Sequence, residues 1–486
     1  MENATVPLAI RWDSDGVPAG PRLWSRVLRG EVFRGNAASF LLENAQRYGD
    51  LVLFRAFGRP VLQFNHPELV QEMLVRDAVH HQRNPVMQRS KDVLGEGLLT
   101  SEEPLHMRQR RLAQPAFHRQ RVSAYGEVIA RSTLAMTEAW PDGERLDIRA
   151  QMMRLALEIV GKTLFDTEMQ QDFDKIAAAA DAFQSFLPLA WLPLSRWLQA
   201  SPLPSMRRIR RGREELDSLI YRMIRERRAD PRDRGDLLSM LMAAEDTESV
   251  EATEESGPGD VGRFGAGGEA RDADSRMSDR QVRDECITVL LAGHETTANA
   301  LSFALWLLAQ HPKIQEEMAE ECVRVLGTRV PTAADYPALT MAQQVFAEAM
   351  RLYPPVWVTA RMAVEDYAYR GFTIRKGTIL IAPQFAVHRD ARFFPEPERF
   401  DPSRFSVEAK AMRPRMAYFP FGAGGRQCIG EGLAWMEGTL ALAVMMRGWK
   451  VRPVEGASRT IALAPSVTLR PRGPVMLRVD RRGQIR

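Results

Sequence analysis

Ten residues near the C-terminus, Phe421 to Gly430, restrict what this chain can become more than any other stretch. They lie in FPFGAGGRQCIGEGLAWMEG, from Phe419 to Gly438. Gly422, Gly424 and Gly425 let the backbone turn tightly with no Cβ in the way. Phe421 can shield a sulfur from water, and backbone N–H groups leading into the next helix stabilise negative charge on it. Arg426 can pair with a carboxylate. A thiolate that must meet a flat macrocycle needs these provisions. The plainer alternative is a buried free cysteine beside a glycine turn.

The chain has room to enclose a large group. At 486 residues a single core can surround a cofactor and keep it dry. Apolar residues make up 45% and charged residues 26%, which is ordinary globular composition and excludes disorder of the whole. Cys286, Cys322 and Cys428 are too few and too odd for a disulfide framework, which implies a reducing compartment. No signal peptide, anchor or membrane-length apolar run is evident, so a soluble, cytoplasmic protein is expected, and it is taken to be a monomer. Net charge is +4 but uneven: ten acidic and two basic residues fall between Ala243 and Asp274. The remaining basic body can attract an acidic protein, an anionic membrane or nucleic acid. No nucleic-acid module is recognisable, so nucleic acid is not expected.

Along the chain, residues 51–65 alternate around Gly58-Arg59-Pro60 and predict a β-hairpin. Helical spacing fills roughly 119–242, for example at Met152, Leu155 and Ile159. The four prolines of LPLAWLPLSRWLQASPLP mark a junction between two helices. Residues 246–277 have no apolar period and predict a mobile surface loop. Its GRFGAGG is not a phosphate loop, since no strand precedes it and no Lys-Ser/Thr follows. A long helix is predicted from Ser278, with Gln281 completing a capping box, to Gln310 before His311-Pro312. Further helices are expected at 312–326, at 340–352 and after Cys428, with short strands over 366–386. Within the long helix, Ala292-Gly293-His294-Glu295-Thr296-Thr297 sets an acid and hydroxyls among apolar residues, which is costly unless they have partners or a task. Gly293 also gives up about 1 kcal/mol of helix propensity relative to Ala. A local opening of the helix is therefore expected there.

The spacing Phe421-x-x-Gly424-x-Arg426-x-Cys428-x-Gly430 resembles the haem-binding signature of the cytochrome P450 family. The 292–297 segment is similar to the family's oxygen-activating motif. A c-type haem does not fit, for want of Cys-x-x-Cys-His. The resemblance spans nearly the whole chain. It implies one domain over 1–486, mainly α with small β sheets, with haem b between the long helix and the cysteine loop. It makes Cys428 the axial ligand of the iron, where a thiolate favours O–O cleavage. Thr296 would hydrogen-bond dioxygen and Glu295 would relay protons, while Ala292 would lie over the haem. Cofactor contacts are also implied at His106, Arg110, Arg361, Pro420, Phe421, Gly422, Arg426, Gly430 and Ala434. Glu348 and Arg351 match a structural Glu-x-x-Arg pair, joined by Arg404, with Arg399 as the alternative. His294 is expected to be solvent-facing or structurally bonded.

Substrate would meet Val93, Leu94, Leu98, Phe183, Phe186, Leu187, Leu290, Leu291, Val356 and Val358, an apolar lining open to a terpenoid, steroid or fatty acid. The implied reaction is hydroxylation or epoxidation with O2. Electrons would pass from NAD(P)H through a reductase and a separate ferredoxin or flavodoxin, docking near Arg108, Arg110, Arg111, Arg119 and Arg121. Peroxide-driven oxidation, or a non-catalytic haem-thiolate sensor, are the alternatives.

Overall fold

A computed structural model describes residues 6–21, 36–56, 58–190, 203–230, 232–244 and 276–483. The longer helices are α1 (Ala37–Tyr48), α2 (Leu105–Ala113), α3 (Arg119–Glu138), α4 (Ile148–Leu164), α5 (Phe173–Ala190) and α6 (Pro204–Ala229). They continue with α7 (Leu237–Ala243), α8 (Asp279–Gln310), α9 (Pro312–Leu326), α10 (Thr340–Leu352) and α11 (Glu431–Gly448). Strands β1 (Leu51–Ala56), β2 (Arg59–Phe64), β3 (His81–Arg83), β5 (Thr359–Ala363) and β8 (Ile379–Ala382) form one sheet in the order β1-β2-β8-β5-β3. β4 (Glu144–Asp147), β12 (Met476–Arg481) and β9 (Trp449–Pro453) form a second. Two hairpins pair β6 (Tyr367–Tyr369) with β7 (Phe372–Ile374), and β10 (Leu463–Pro465) with β11 (Leu469–Pro471). The fold is mainly α with small sheets. Among the described residues, no helix is long and apolar enough to cross a membrane.

Helix α8 is the central beam. Its capping box forms as the sequence predicts: Ser278 Oγ accepts from Gln281 N, and the Gln281 side chain accepts from Ser278 N. It packs most extensively on α4, and then on α10, β9, α6 and α11. The expected opening at Gly293 does not occur; the helix runs unbroken from Asp279 to Gln310. Gly293 serves packing instead. A Cβ there would stand 2.9 Å from Val160 Cγ2 of α4, so the residue without one lets the two helices close.

Other departures have equally local reasons. β4 interrupts the stretch read as helical throughout, because Glu144 to Asp147 pair with β12 more than 300 positions later, a register that no local pattern announces. The 366–386 strands and the 51–65 hairpin form where predicted, with Leu51 opposite Phe64. The expected loop at 246–277 falls outside the described residues apart from Arg276 and Met277, as does the proline-rich junction over 191–202.

On α10, Glu348 and Arg351 are both fully buried. Arg351 Nε and Nη2 donate to the two Glu348 oxygens at 2.6 and 2.7 Å. Arg351 also donates to the carbonyls of His388, Pro397 and Arg399 at 2.9, 2.7 and 3.2 Å, pinning the chain that leads to the cysteine loop. Arg404 Nε reaches Glu348 Oε1 at 3.5 Å, while the Arg399 side chain pairs with Glu396 instead. Removing one member of such a pair leaves a buried charge without its partner. Arg351→Ala is therefore expected to lose about 3–5 kcal/mol of stability in denaturant unfolding; a loss under about 1 kcal/mol, typical of exposed pairs, would contradict this reading.

Candidate active site

Two residues on core elements are exposed, Ala292 in mid-helix and Cys428. Both face the same internal cavity, from opposite sides. α8 supplies Val289, Ala292, Gly293, Thr296, Thr297 and Ala300, one helix face at three- and four-residue spacing. The cysteine loop supplies Pro420, Phe421, Gly422, Arg426, Cys428 and Gly430, and α11 adds Leu433, Ala434 and Glu437.

The loop is held in shape by its own backbone. Cys428 N donates to Phe421 O at 2.9 Å, and Gly422 and Gly424 take φ of 73° and 72°. A Cβ on Gly424 would come within 2.4 Å of Leu74 O, so this turn accepts no side chain. Arg110 of α2 donates to Gln427 O at 2.7 Å and so braces the residue before the cysteine. Burial pushes the Cys428 thiol up to about 11, against a lowering contact with the Gly430 N–H. The thiol is neutral unless a cation binds it, and a coordinating metal deprotonates such a thiol outright.

One end of the cavity gathers three guanidinium groups, Arg83, Arg361 and Arg426. Arg83 and Arg361 stand directly opposite each other where β3 pairs with β5. Burial and then the neighbouring Arg426 push Arg361 down to about 10. Arg426 pairs with Glu102 at 2.7 Å, but Arg83 Nε is buried with no partner among the described groups. This end therefore holds more buried positive charge than its acids balance. His106 and Arg110 do not line the cavity. His106 is buried behind Arg426, 3.0 Å from Glu103 Oε1, and burial lowers it to about 4, so its ring is neutral.

On α8, Thr296 Oγ1 donates to Ala292 O at 2.6 Å, the bond a helical threonine makes to its own backbone. Glu295 does not line the cavity; its Oε1 accepts from Gln184 Nε2 and, at 2.9 Å, from Thr468 Oγ1. His294 is fully buried, and not solvent-facing, because it points between α8 and α4 towards Met153 and Phe173; burial lowers it to about 4.

Residues 16–479 match the family model for cytochrome P450. The chain is 36% identical to cyclooctatin synthase of Streptomyces melanosporofaciens, over 94% of each chain. It is 31% identical to pentalenene oxygenase of Streptomyces avermitilis, over 92% of this chain and 93% of that one. The solved haem domain of cytochrome P450DA superposes with a TM-score of 0.78 at 25% identity, covering 93% of this chain and 95% of that chain. The chain belongs to the cytochrome P450 family. The activity this membership carries is that of a monooxygenase, and the family implies haem. The site fits that group: a sulfur and a helix face oppose each other across an apolar gap, and buried arginines in excess gather at one end.

Of the residues expected to touch substrate, Val356 lines this P450's cavity. Val93, Leu94, Leu98, Phe183, Phe186, Leu290, Leu291 and Val358 pack nearby without lining it, and the Leu187 side chain lies outside the described residues. Leu99, Val160, Leu164, Val289 and Phe117 line it and were not foreseen. Val289 was findable, since it precedes Ala292 by three and Thr296 by seven on one face. Arg83 was not, because only the register of β3 on β5 brings it to Arg361.

Leu99 owes its place to an acidic pair on α8. Asp284 accepts from Glu96 N at 2.8 Å and Glu285 accepts from Leu98 N at 3.1 Å, drawing the 94–101 segment onto the helix. Burial pushes the Glu285 carboxyl up from 4.5 to about 8, partly offset by the Leu98 N–H. Between those values the native state holds a proton that the unfolded chain has released, so stability falls as pH rises through the window and levels above it. Glu285→Gln is expected to flatten the urea midpoint against pH from about 5 to about 9; a slope as steep as native would rule Glu285 out as its source.

Proposed function

We propose that this P450 inserts one atom of O2 into an apolar terpenoid, by hydroxylation or epoxidation. NAD(P)H would supply the electrons through a separate ferredoxin or flavodoxin with its reductase. The observation that carries the substrate class is the charge distribution of the cavity. Its buried cations gather at one end, and the wall formed by Leu99, Val160, Leu164, Val289 and Val356 is aliphatic. A fatty acid would call for a cation along that wall, whereas a hydrocarbon needs none. The relatives named for cyclooctatin and pentalenene chemistry favour the terpenoid over the steroid.

In this reading Cys428 would hold the haem iron through its sulfur, and Arg83, Arg361 and Arg426 would pair with the propionates. Arg110 braces the loop from behind. Bound haem supplies the activation of dioxygen, which a thiolate ligand promotes. The chain's own part is to exclude water and manage protons. Val289, Ala292 and Leu99 keep the cavity dry. The Thr296 hydroxyl, bonded to the Ala292 carbonyl, can exchange that acceptor for an oxygen on its open side. Glu295, the next residue on the helix, would relay protons from behind it. The helix that carries Arg108 and Arg111 also braces the cysteine loop through Arg110, so an acidic electron carrier docked there would have a short path to the site.

Titration with polycyclic sesquiterpenes and diterpenes, steroids and fatty acids is expected to shift the haem spin state for terpenes most strongly. For the terpene bound best, Thr296→Ala is expected to lower product per NAD(P)H by about tenfold or more, in the range of losing a positioned proton donor. Strong shifts from fatty acids alone, or unchanged coupling in Thr296→Ala, would contradict the substrate class and the role of Thr296 respectively.

A further inference from the structure

The carboxyl of Glu295 turns away from the cavity that Thr296 faces, into a cluster built from three distant parts of the chain. Its Oε1 accepts from Gln184 of α5 and from Thr468 in the turn between β10 and β11. Thr468 Oγ1 accepts in turn from Asn299 Nδ2 at 3.3 Å, one helical turn beyond Glu295. All four side chains are buried.

The elements that meet there are also tied to each other and to the cavity. Arg470 of the hairpin pairs with Asp181 at 3.0 Å, one turn before Gln184 on α5. Trp357 Nε1 donates to Ser466 O at 2.9 Å, and Leu469 N donates to Pro355 O at 2.8 Å. Pro355 and its neighbour Val356 line the cavity, so the hairpin that holds Glu295 rests on the cavity wall.

The chemistry of the cluster is unusual for a purely structural one. Gln184 and Thr468 are neutral donors, so they orient the carboxyl without fixing its charge, as a lysine or arginine would. Gln184 Oε1 and Asn299 Oδ1 are buried acceptors with no donor among the described groups. Acceptors left open on either side of a carboxyl suit a group through which protons pass.

We propose that Gln184 and Thr468 are positioning residues for Glu295, holding its carboxyl between α5 and the C-terminal hairpin in the one placement from which it supplies protons to the Thr296 side. The inference rests on the proton role given to Glu295 above. Loss of either donor lets the carboxyl wander and slows proton supply without emptying the substrate wall.

The test uses the holoenzyme with a surrogate ferredoxin and reductase, reading O2 consumption in H2O and in D2O. Glu295→Gln is expected to raise the solvent isotope effect by about twofold or more, and Gln184→Leu and Thr468→Val to raise it in the same direction. Thr468→Ser, which keeps the hydroxyl, is expected to behave as native. Gln184→Leu combined with Glu295→Gln is expected to add nothing to Glu295→Gln alone, in isotope effect and in thermal midpoint, as coupled partners do. A native isotope effect in both Gln184→Leu and Thr468→Val beside an altered Glu295→Gln would overturn this inference alone. A native isotope effect in Glu295→Gln would overturn the proton role of Glu295 and this inference with it. Additive effects in the double variant would likewise sink it, by leaving Gln184 a structural part only.

Discussion

Cys428 stands at the end of a loop that has almost no freedom. Its N–H is taken by the Phe421 carbonyl, two glycines turn the chain in a conformation side chains avoid, and Arg110 grips the carbonyl just before it. The sulfur that results is deep in the protein and yet bare towards one cavity. Burial keeps it a thiol until a metal arrives. The rest of the molecule is arranged around that condition. The Glu348–Arg351 pair fixes the chain leading into the loop, and α8 closes the cavity from the far side.

Two polar clusters stand out around this interior, and each has a distinct electrostatic character. At one end Arg83, Arg361 and Arg426 concentrate positive charge that Glu102 and Glu103 offset in part. Behind Thr296, Glu295 meets neutral amide and hydroxyl donors. Charge in excess suits a dianionic group that stays bound, whereas neutral donors suit a carboxyl that must change its protonation. The aliphatic wall between them leaves shape to select the substrate.

Much of this is legible in the amino-acid sequence. The capping box at Ser278, the hairpin from Leu51 and the helix after Cys428 carry local signals, and each forms where those signals put it. The cysteine-loop residues and the Ala292–Thr296 helix face are likewise set by short spacing, and they line the cavity. What the sequence concealed depends on partners far along the chain. Arg83 meets Arg361 only through strand register, and β4 exists only because β12 pairs with it. Gln184 and Thr468 reach Glu295 across 111 and 173 positions. Gly293 was misread for a related reason: its effect on helix propensity is local, but the Val160 side chain that demands it belongs to another helix. The choice of Val93, Leu94 and Leu98 as cavity wall fell short in a finer way, because it is their neighbour Leu99 that the Asp284–Glu285 tether delivers to the cavity.

The central claim is that Cys428 is a thiolate ligand to haem iron. The absorption spectrum of the reduced, CO-bound protein tests it most directly. A strongly red-shifted Soret band, lost when Cys428 is replaced by His, is the predicted result. A native band at the unshifted position of histidine-ligated haem proteins, or a red-shifted band that survives Cys428→His, would contradict it.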